Sequence, residues 1–451
     1  MGSQNSPIVH SSGGHTLLAS PNGNGSKPDA HPIKILHIIN DLSIGGAEMT
    51  LYKLLSRTDR DKFKSTVISL NGVGKLGDRV KQLGIEVQAV GMKPSGLRSG
   101  SFLRLAQIAP RIKPDLIQGW MYHGTLAAQF AGLFVSRPVS IIWNIRQSLY
   151  SLDDEKPATA RAIRLGARLS RLPSMILNNS QKSVSQHAAI GYETTRTVVI
   201  PNGFNTETFI PSEDSRVSVR AELGVPADTV LVGRIGRYHH TKDHPTFLRA
   251  AALLLKDYPD TQFLLAGKDV DWNNGEVRTL VQDLGLVERV HLLGERLDTP
   301  RLTAALDIAT STSHAEGFPN VIGEAMSCAV PCVVTDVGDS LWLVGDTGRA
   351  VPPQDPEALA AAWKAVIRLG HEGRSDLGAA ARLRVMRCYS LASVVEQYES
   401  LYQAVIAEDR ASTKSAWLAA SSACKLTVPE FERVNEQVSG ARVPGFLELP
   451  K

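Results

Sequence analysis

Glu316 and Glu324 stand eight positions apart, and the residues around them suit a ligand with hydroxyls at its ends and anionic groups between. Glu316 follows a short apolar segment, Asp307 to Ser313, that reads as a strand; Glu324 falls just inside a helix that Pro319 is placed to start. Both carboxylates can therefore face one cleft. Gly317 lets backbone come close to a ligand, and the free N–H groups and positive dipole end of the following helix favour an anion. A carboxylate slightly deeper in that helix can accept two ribose hydroxyl hydrogens, each charge-assisted bond being worth about 1.5–3 kcal/mol. Taken alone, Glu324 reads more readily as a capping or solvated helix residue.

A basic loop upstream changes that balance. The apolar segment Thr229 to Ile235 runs into Gly236, Arg237 and Lys242. In an open α/β sheet ligands sit at the carboxyl ends of the strands, so Gly, Arg and Lys there read as a diphosphate clamp. Without the acids the same residues would read as solvated surface.

These motifs resemble those of the family 4 retaining nucleotide-sugar glycosyltransferases, over roughly residues 33 to 405. The most specific part is the run from Glu316 through Gly317, Phe318, Pro319 and Asn320 to Glu324, continuing from Pro331 to Asp339. The resemblance implies the GT-B architecture: two Rossmann-like α/β domains facing a central cleft, with a carboxyl-terminal helix crossing back to the first domain. It assigns Glu324 to the donor ribose, Glu316 to hydroxyls of the transferred sugar, and the backbone N–H groups of Gly317, Phe318 and Asn320 to sugar and phosphate. Arg237 and Lys242 match the cations that neutralise the departing diphosphate. Retention follows from attack on the leaving-group face, a donor phosphate oxygen taking the acceptor proton, so no side-chain nucleophile is required. The implied donor is a nucleotide sugar, a UDP-sugar being the family's commonest, and no further cofactor or metal is expected.

The amino-terminal half carries matching pieces. Ile33 to Ile39 is a compact apolar strand, and a glycine loop with Gly45 and Gly46 feeds an amphipathic helix from about Ala47 to Ser56. The loop lacks the spacing of a dinucleotide fingerprint, which disfavours a nicotinamide cofactor; by resemblance it closes over the donor phosphates, and it reads also as a tight turn with positive φ. His123 follows the segment Asp115 to Trp120. A lone histidine is commonly structural; here the strand end and the family pattern place it in the active site, against the transferred sugar. Arg146 ends another strand, Ile141 onward, and has two readings: a bidentate ligand for an acceptor phosphate, or a surface partner of the acidic run Asp153 to Glu155.

The chain has 451 residues with 43% hydrophobic content, enough for two ordinary cores. The expected divisions are a disordered Gly/Ser/Asn/Pro-rich tail over 1–30, an acceptor domain over 31–205, a nucleotide-sugar domain over 206–390, a crossing helix over 391–409 and a tail of unassigned role over 410–451. The four cysteines, Cys328, Cys332, Cys388 and Cys424, show no metal-ligand spacing. Asp269 and Asp271 spell a D-x-D, but in a polar loop. With neither a secretory leader nor a run of apolar residues able to span a bilayer, the expected location is cytoplasmic.

Net charge is +4, yet residues 31–205 hold 23 Lys and Arg against 11 Asp and Glu. Part of this excess forms a stripe, Arg161, Arg164, Arg168 and Arg171, at three- and four-residue steps. It reads either as a solvated helix face or as a docking surface for anionic lipid at the inner face of the membrane. The latter fits an acceptor that is a glycan or lipid-linked sugar. Two other functions share the motifs: a sugar-nucleotide 2-epimerase and a non-catalytic nucleotide-sugar-binding subunit. The first would need its own acid/base carboxylates at the first domain's strand ends, where none stands out.

Overall fold

The computed structural model describes residues 31–43, 45–92, 99–153 and 155–408. The expected tails 1–30 and 410–451 and Cys424 lie outside the described residues. Seven parallel strands form the first sheet: β1 (Ile33–Ile39), β2 (Phe63–Ser69), β3 (Glu86–Ala89), β4 (Leu116–Trp120), β5 (Ser140–Ile145), β6 (Met175–Asn178) and β7 (Thr197–Val199), in the order β3-β2-β1-β4-β5-β6-β7. Six more form the second: β8 (Leu231–Ile235), β9 (Gln262–Ala266), β10 (Val290–Leu292), β11 (Ile308–Ser311), β12 (Cys332–Thr335) and β13 (Gly348–Val351), in the order β10-β9-β8-β11-β12-β13. Helices cover both faces of each sheet, which is why central strands such as β4 and β5 are buried along their whole length rather than in alternation.

The architecture is the expected pair of Rossmann-like domains with a helix crossing back. Helix Leu391–Glu408 buries Val394, Val395, Tyr398, Leu401, Tyr402 and Val405, spaced at three and four residues, against Ile35, Ile39, Trp120 and Leu177 of the first domain. Its two tyrosines also carry polar ties: Tyr398 stacks on Trp120 at 6.4 Å, and the Tyr402 hydroxyl donates to Gln118 Oε1 at 2.6 Å. Where the chain passes between domains, its two crossings run side by side. Phe204 N donates to Tyr389 O and Leu391 N to Phe204 O, both at 2.8 Å.

Asp307, expected to open a strand, precedes β11 instead. Its carboxylate accepts from Leu231 N at 2.8 Å and pairs with Arg216 at 2.9 Å and with the buried Arg220. It pins β8 to β11 at their amino ends. Cys328, Cys332 and Cys388 are buried and form no disulfide among the described residues.

Helix Asn320–Ser327 presses on the crossing at Gly323, where a Cβ would lie 2.0 Å from the Phe204 ring. Gly323→Ala must therefore displace this helix or the crossing. An overpacking cost of about 1–3 kcal/mol is expected, read as a lower midpoint in thermal unfolding.

Candidate active site

Both sheets reverse their winding at one place, between β1 and β4 in the first domain and between β8 and β11 in the second. Such switch points open a crevice at the carboxyl ends of the strands. The singled-out residues follow those four strands: Gly45 and Gly46 after β1, His123 after β4, Gly236 to Lys242 after β8, and Glu316 after β11.

On the second domain the structure brings Lys242 and Glu316 into direct contact. Lys242 Nζ pairs with Glu316 Oε1, which also accepts from Ser313 Oγ at 2.8 Å. Lys242 ends a single 3-10 turn, His240–Lys242, and beneath that turn lies Arg234, a residue the sequence reading passed over. Only 3% exposed, Arg234 donates to Thr312 Oγ1 at 2.9 Å, to His244 Nε2 at 3.0 Å and to the Lys242 carbonyl. Burial lowers its pKa to about 10, so it stays cationic at neutral pH; the nearby Glu316 and Asp243 charges oppose the shift. An arginine inside an otherwise apolar strand was the signal that could have found it. Arg237 is exposed at the loop.

Glu324 faces a cavity of about 290 Å³ whose walls come from both domains: Gly45, Gly46 and Lys53 from the first, Asn202 from the crossing, Asn320 from its own helix, and Tyr398 from the crossing helix. Its carboxylate forms no hydrogen bond or ion pair among the described residues. Desolvation raises its pKa to about 7, with Lys53 pulling the other way. A half-buried carboxylate that faces a cavity without a hydrogen-bond partner from the protein suits a ligand that brings donors.

Gly45 and Gly46 border this cavity but not as a positive-φ turn. Gly45 is extended, at φ −150°, as N-cap of helix Gly46–Arg57. Space does not demand the glycine either, because a Cβ there would meet only the flexible end of Glu48, its carboxylate oxygen at 2.3 Å. His123 sits in the first turn of helix Met121–Gly132, half-buried, with its pKa lowered by desolvation toward the neutral ring. Met121, at φ 60°, takes the left-handed conformation that turns β4 into this helix.

The Phe318 ring is core, stacked 6.0 Å from Phe204 and edge-on to Trp342. Asn320 accepts from Asn202 Nδ2 at 2.6 Å. Gly317 lies against Ser148 of the first domain.

Arg146 pairs with neither Asp153 nor Glu155. Its guanidinium turns inward, donating to Tyr398 Oη at 2.7 Å and to Asn202 Oδ1; Glu155 pairs with Gln147 instead. Of the D-x-D acids, Asp271 is engaged locally, accepting from Asn273 N at 2.8 Å within its own turn. No group of three or more His, Cys, Asp or Glu among the described residues is arranged to hold a metal.

In helix Pro157–Leu169, Arg161, Arg164 and Arg168 are exposed while Ala160, Ile163 and Gly166 are buried. Arg171, beyond the helix, pairs with Glu193 at 3.4 Å. No described helix is long and apolar enough to cross a membrane.

Residues 44–208 match the family described as Glycosyltransferase Family 4, and residues 228–368 match Glycosyl transferases group 1. The chain is 23% identical over 317 residues to N-acetyl-alpha-D-glucosaminyl L-malate synthase of Bacillus anthracis, covering 68% of this chain and 79% of that one. It is 31% identical over 148 residues to UDP-Gal:alpha-D-GlcNAc-diphosphoundecaprenol alpha-1,3-galactosyltransferase of Escherichia coli, covering 32% of this chain and 38% of that one. Among solved structures it superposes on Anabaena HepE, crystallised with UDP and glucose, with a TM-score of 0.69 and 25% identity, over 82% of this chain and all of HepE. Two α/β sheets wound toward one cleft, with matches in both halves, place the chain in the family 4 glycosyltransferases of GT-B fold.

Proposed function

We propose that the chain transfers a hexose, with retention of configuration, from a UDP-sugar to a hydroxyl of a glycan or lipid-linked sugar. The observation that carries this reading is Glu324, desolvated and unpartnered in a cavity shared by both domains. A ribose supplies the two donors it lacks. From there the diphosphate reaches Lys242 and Arg237, and the sugar reaches Glu316. The Lys242–Glu316 pair neutralises both charges. A bound diphosphate draws the ammonium away, and hexose hydroxyls take the carboxylate.

As the glycosidic bond breaks, negative charge grows on the diphosphate and positive charge on the sugar. Lys242 and Arg237 stabilise the first, with Arg234 fixing the Lys242 backbone. The neutral ring of His123 serves the second as a hydrogen-bond partner for the sugar. HepE, solved with UDP, supports the uracil nucleotide, and the E. coli relative that acts on a diphosphoundecaprenol supports a lipid-linked acceptor. The exposed Arg161, Arg164 and Arg168, with Leu165 46% and Leu172 56% exposed beside them, suit docking on an anionic bilayer. Binding to phosphatidylglycerol vesicles at low salt is expected in a flotation assay; absence of binding there removes the membrane element and leaves transfer untouched.

Only the carboxylate form of Glu324 accepts two hydroxyls. With a pKa of about 7, its ionised fraction falls from about nine-tenths at pH 8 to about one-tenth at pH 6, so UDP affinity should drop about ninefold over that range. In Glu324→Gln the calorimetric affinity should be weaker and should lose this part of its pH dependence, leaving only what the terminal phosphate of UDP contributes. An unchanged pH dependence in that variant would overturn the ribose assignment. Lys242→Ala should lower turnover of the UDP-sugar about 100-fold or more while weakening UDP binding less; equal turnover in variant and wild type would remove Lys242 from the clamp.

A further inference from the structure

Behind the cleft, two loops of the second domain are gripped between two segments of the first. The gripped loops are Glu316 with Gly317, and Gly338 with Asp339. They are tied to each other, since Asp339 N donates to the Gly317 carbonyl at 3.0 Å. The gripping segments are Gln147 to Tyr150 and the start of helix Gln181–Ala189. They too are tied: Ser183 Oγ donates to the Gln147 carbonyl at 2.9 Å, and Leu149 N to Gln186 Oε1 at 3.0 Å.

Four hydrogen bonds cross between the domains here. The Tyr150 hydroxyl donates to the Glu316 carbonyl at 2.6 Å and accepts from the Glu316 N–H at 2.8 Å, so one phenol satisfies both backbone groups of that residue. On the other side, Asp339 accepts from Gln181 N at 2.7 Å and from Lys182 N at 3.0 Å, its charge set against the positive end of the helix. Packing is close enough that a Cβ on Gly317 would lie 2.8 Å from Ser148 Oγ. Neither Tyr150 nor Asp339 contributes a side chain to the cavity around Glu324.

We infer that Tyr150 is a cross-domain positioning residue for Glu316 and that Asp339 is its counterpart, so that the sugar-holding loop takes its working shape only when the domains are closed. This rests on the reading that Glu316 holds the transferred sugar. Nearly half of the Tyr150 surface is exposed, at 48%, so its bonds part as the domains separate and water replaces them at little cost. While closed, the phenol fixes the backbone from which the Glu316 side chain projects toward Lys242. Displacement of a positioned group by about 1 Å can cost 100-fold in rate without comparable loss of binding.

The test uses the full chain with one spin label in each domain, comparing wild type, Tyr150→Phe and Asp339→Asn. Inter-domain distance distributions without ligand should broaden toward longer separations in both variants; distributions identical to wild type would overturn the clamp. With UDP-glucose as probe, Tyr150→Phe should lower kcat about tenfold or more while KM and the UDP dissociation constant shift less than about threefold. A loss confined to KM would mark Tyr150 as a binding contact rather than a positioning residue and would also overturn the inference. Failure of wild type to bind UDP would count against the donor assignment alone, because the ligand-free distances still decide the clamp.

Discussion

Arg146 is the interaction on which the geometry of the cleft depends. It lies where strand β5, the first crossing and the last helix meet, and it has no carboxylate partner among the described residues. Burial lowers its pKa, and the charge is held by oxygen acceptors from three parts of the chain: Asn144, Tyr398 and Asn202. Asn202 then passes the constraint on, donating to Asn320 at the head of the helix that carries Glu324. A guanidinium suits this position because its fork of donors is planar and remains charged when buried. The relative placement of the two sheets is thus read directly into the wall of the cavity around Glu324.

Around that fixed point, unlike charges are handled in two ways. Lys242 and Glu316 neutralise each other across the strand ends and rest on a buried shelf built by Arg234, Thr312 and His244. Glu324 is left without a partner and is desolvated by residues from both domains. A paired acid and an unpaired one, set on the same loop and helix, give a ligand two different rewards: exchange of an existing ion pair at one end and relief of desolvation at the other. An anion with hydroxyls on both sides can collect both together.

Much of the fold was legible in the chain. The apolar runs Ile33–Ile39 and Gln262–Ala266 are strands with those bounds, because strands buried on both faces in parallel sheets read as continuous hydrophobic segments. The crossing helix declared itself by spacing from Val394 to Val405. The types and order of the cleft residues were legible too, through motifs that sit at strand ends. Their environments were not. The acidity of Glu324 is set by burial and opposed by Lys53, in a cavity whose walls include Asn202 and Tyr398, none of them near it in sequence. Arg146 looked like a surface cation because its acceptor Tyr398 lies 252 residues away. Tyr150 carries no motif of its own, and Asp339, which ends the run from Pro331, gives no sign in the sequence that it contacts the other domain. Gly45 was misjudged as well: it is extended at the start of its helix and does not relieve a positive φ.

The most direct test of the central claim, that a nucleoside diphosphate spans from Glu324 to the loop after β8, is a crystal structure of the protein with UDP bound. The account predicts ribose hydroxyls donating to the Glu324 carboxylate, the diphosphate on Arg237 and Lys242, and the Lys242–Glu316 pair parted. A nucleotide bound elsewhere, or one in the cleft that leaves Glu324 without a contact, would contradict it.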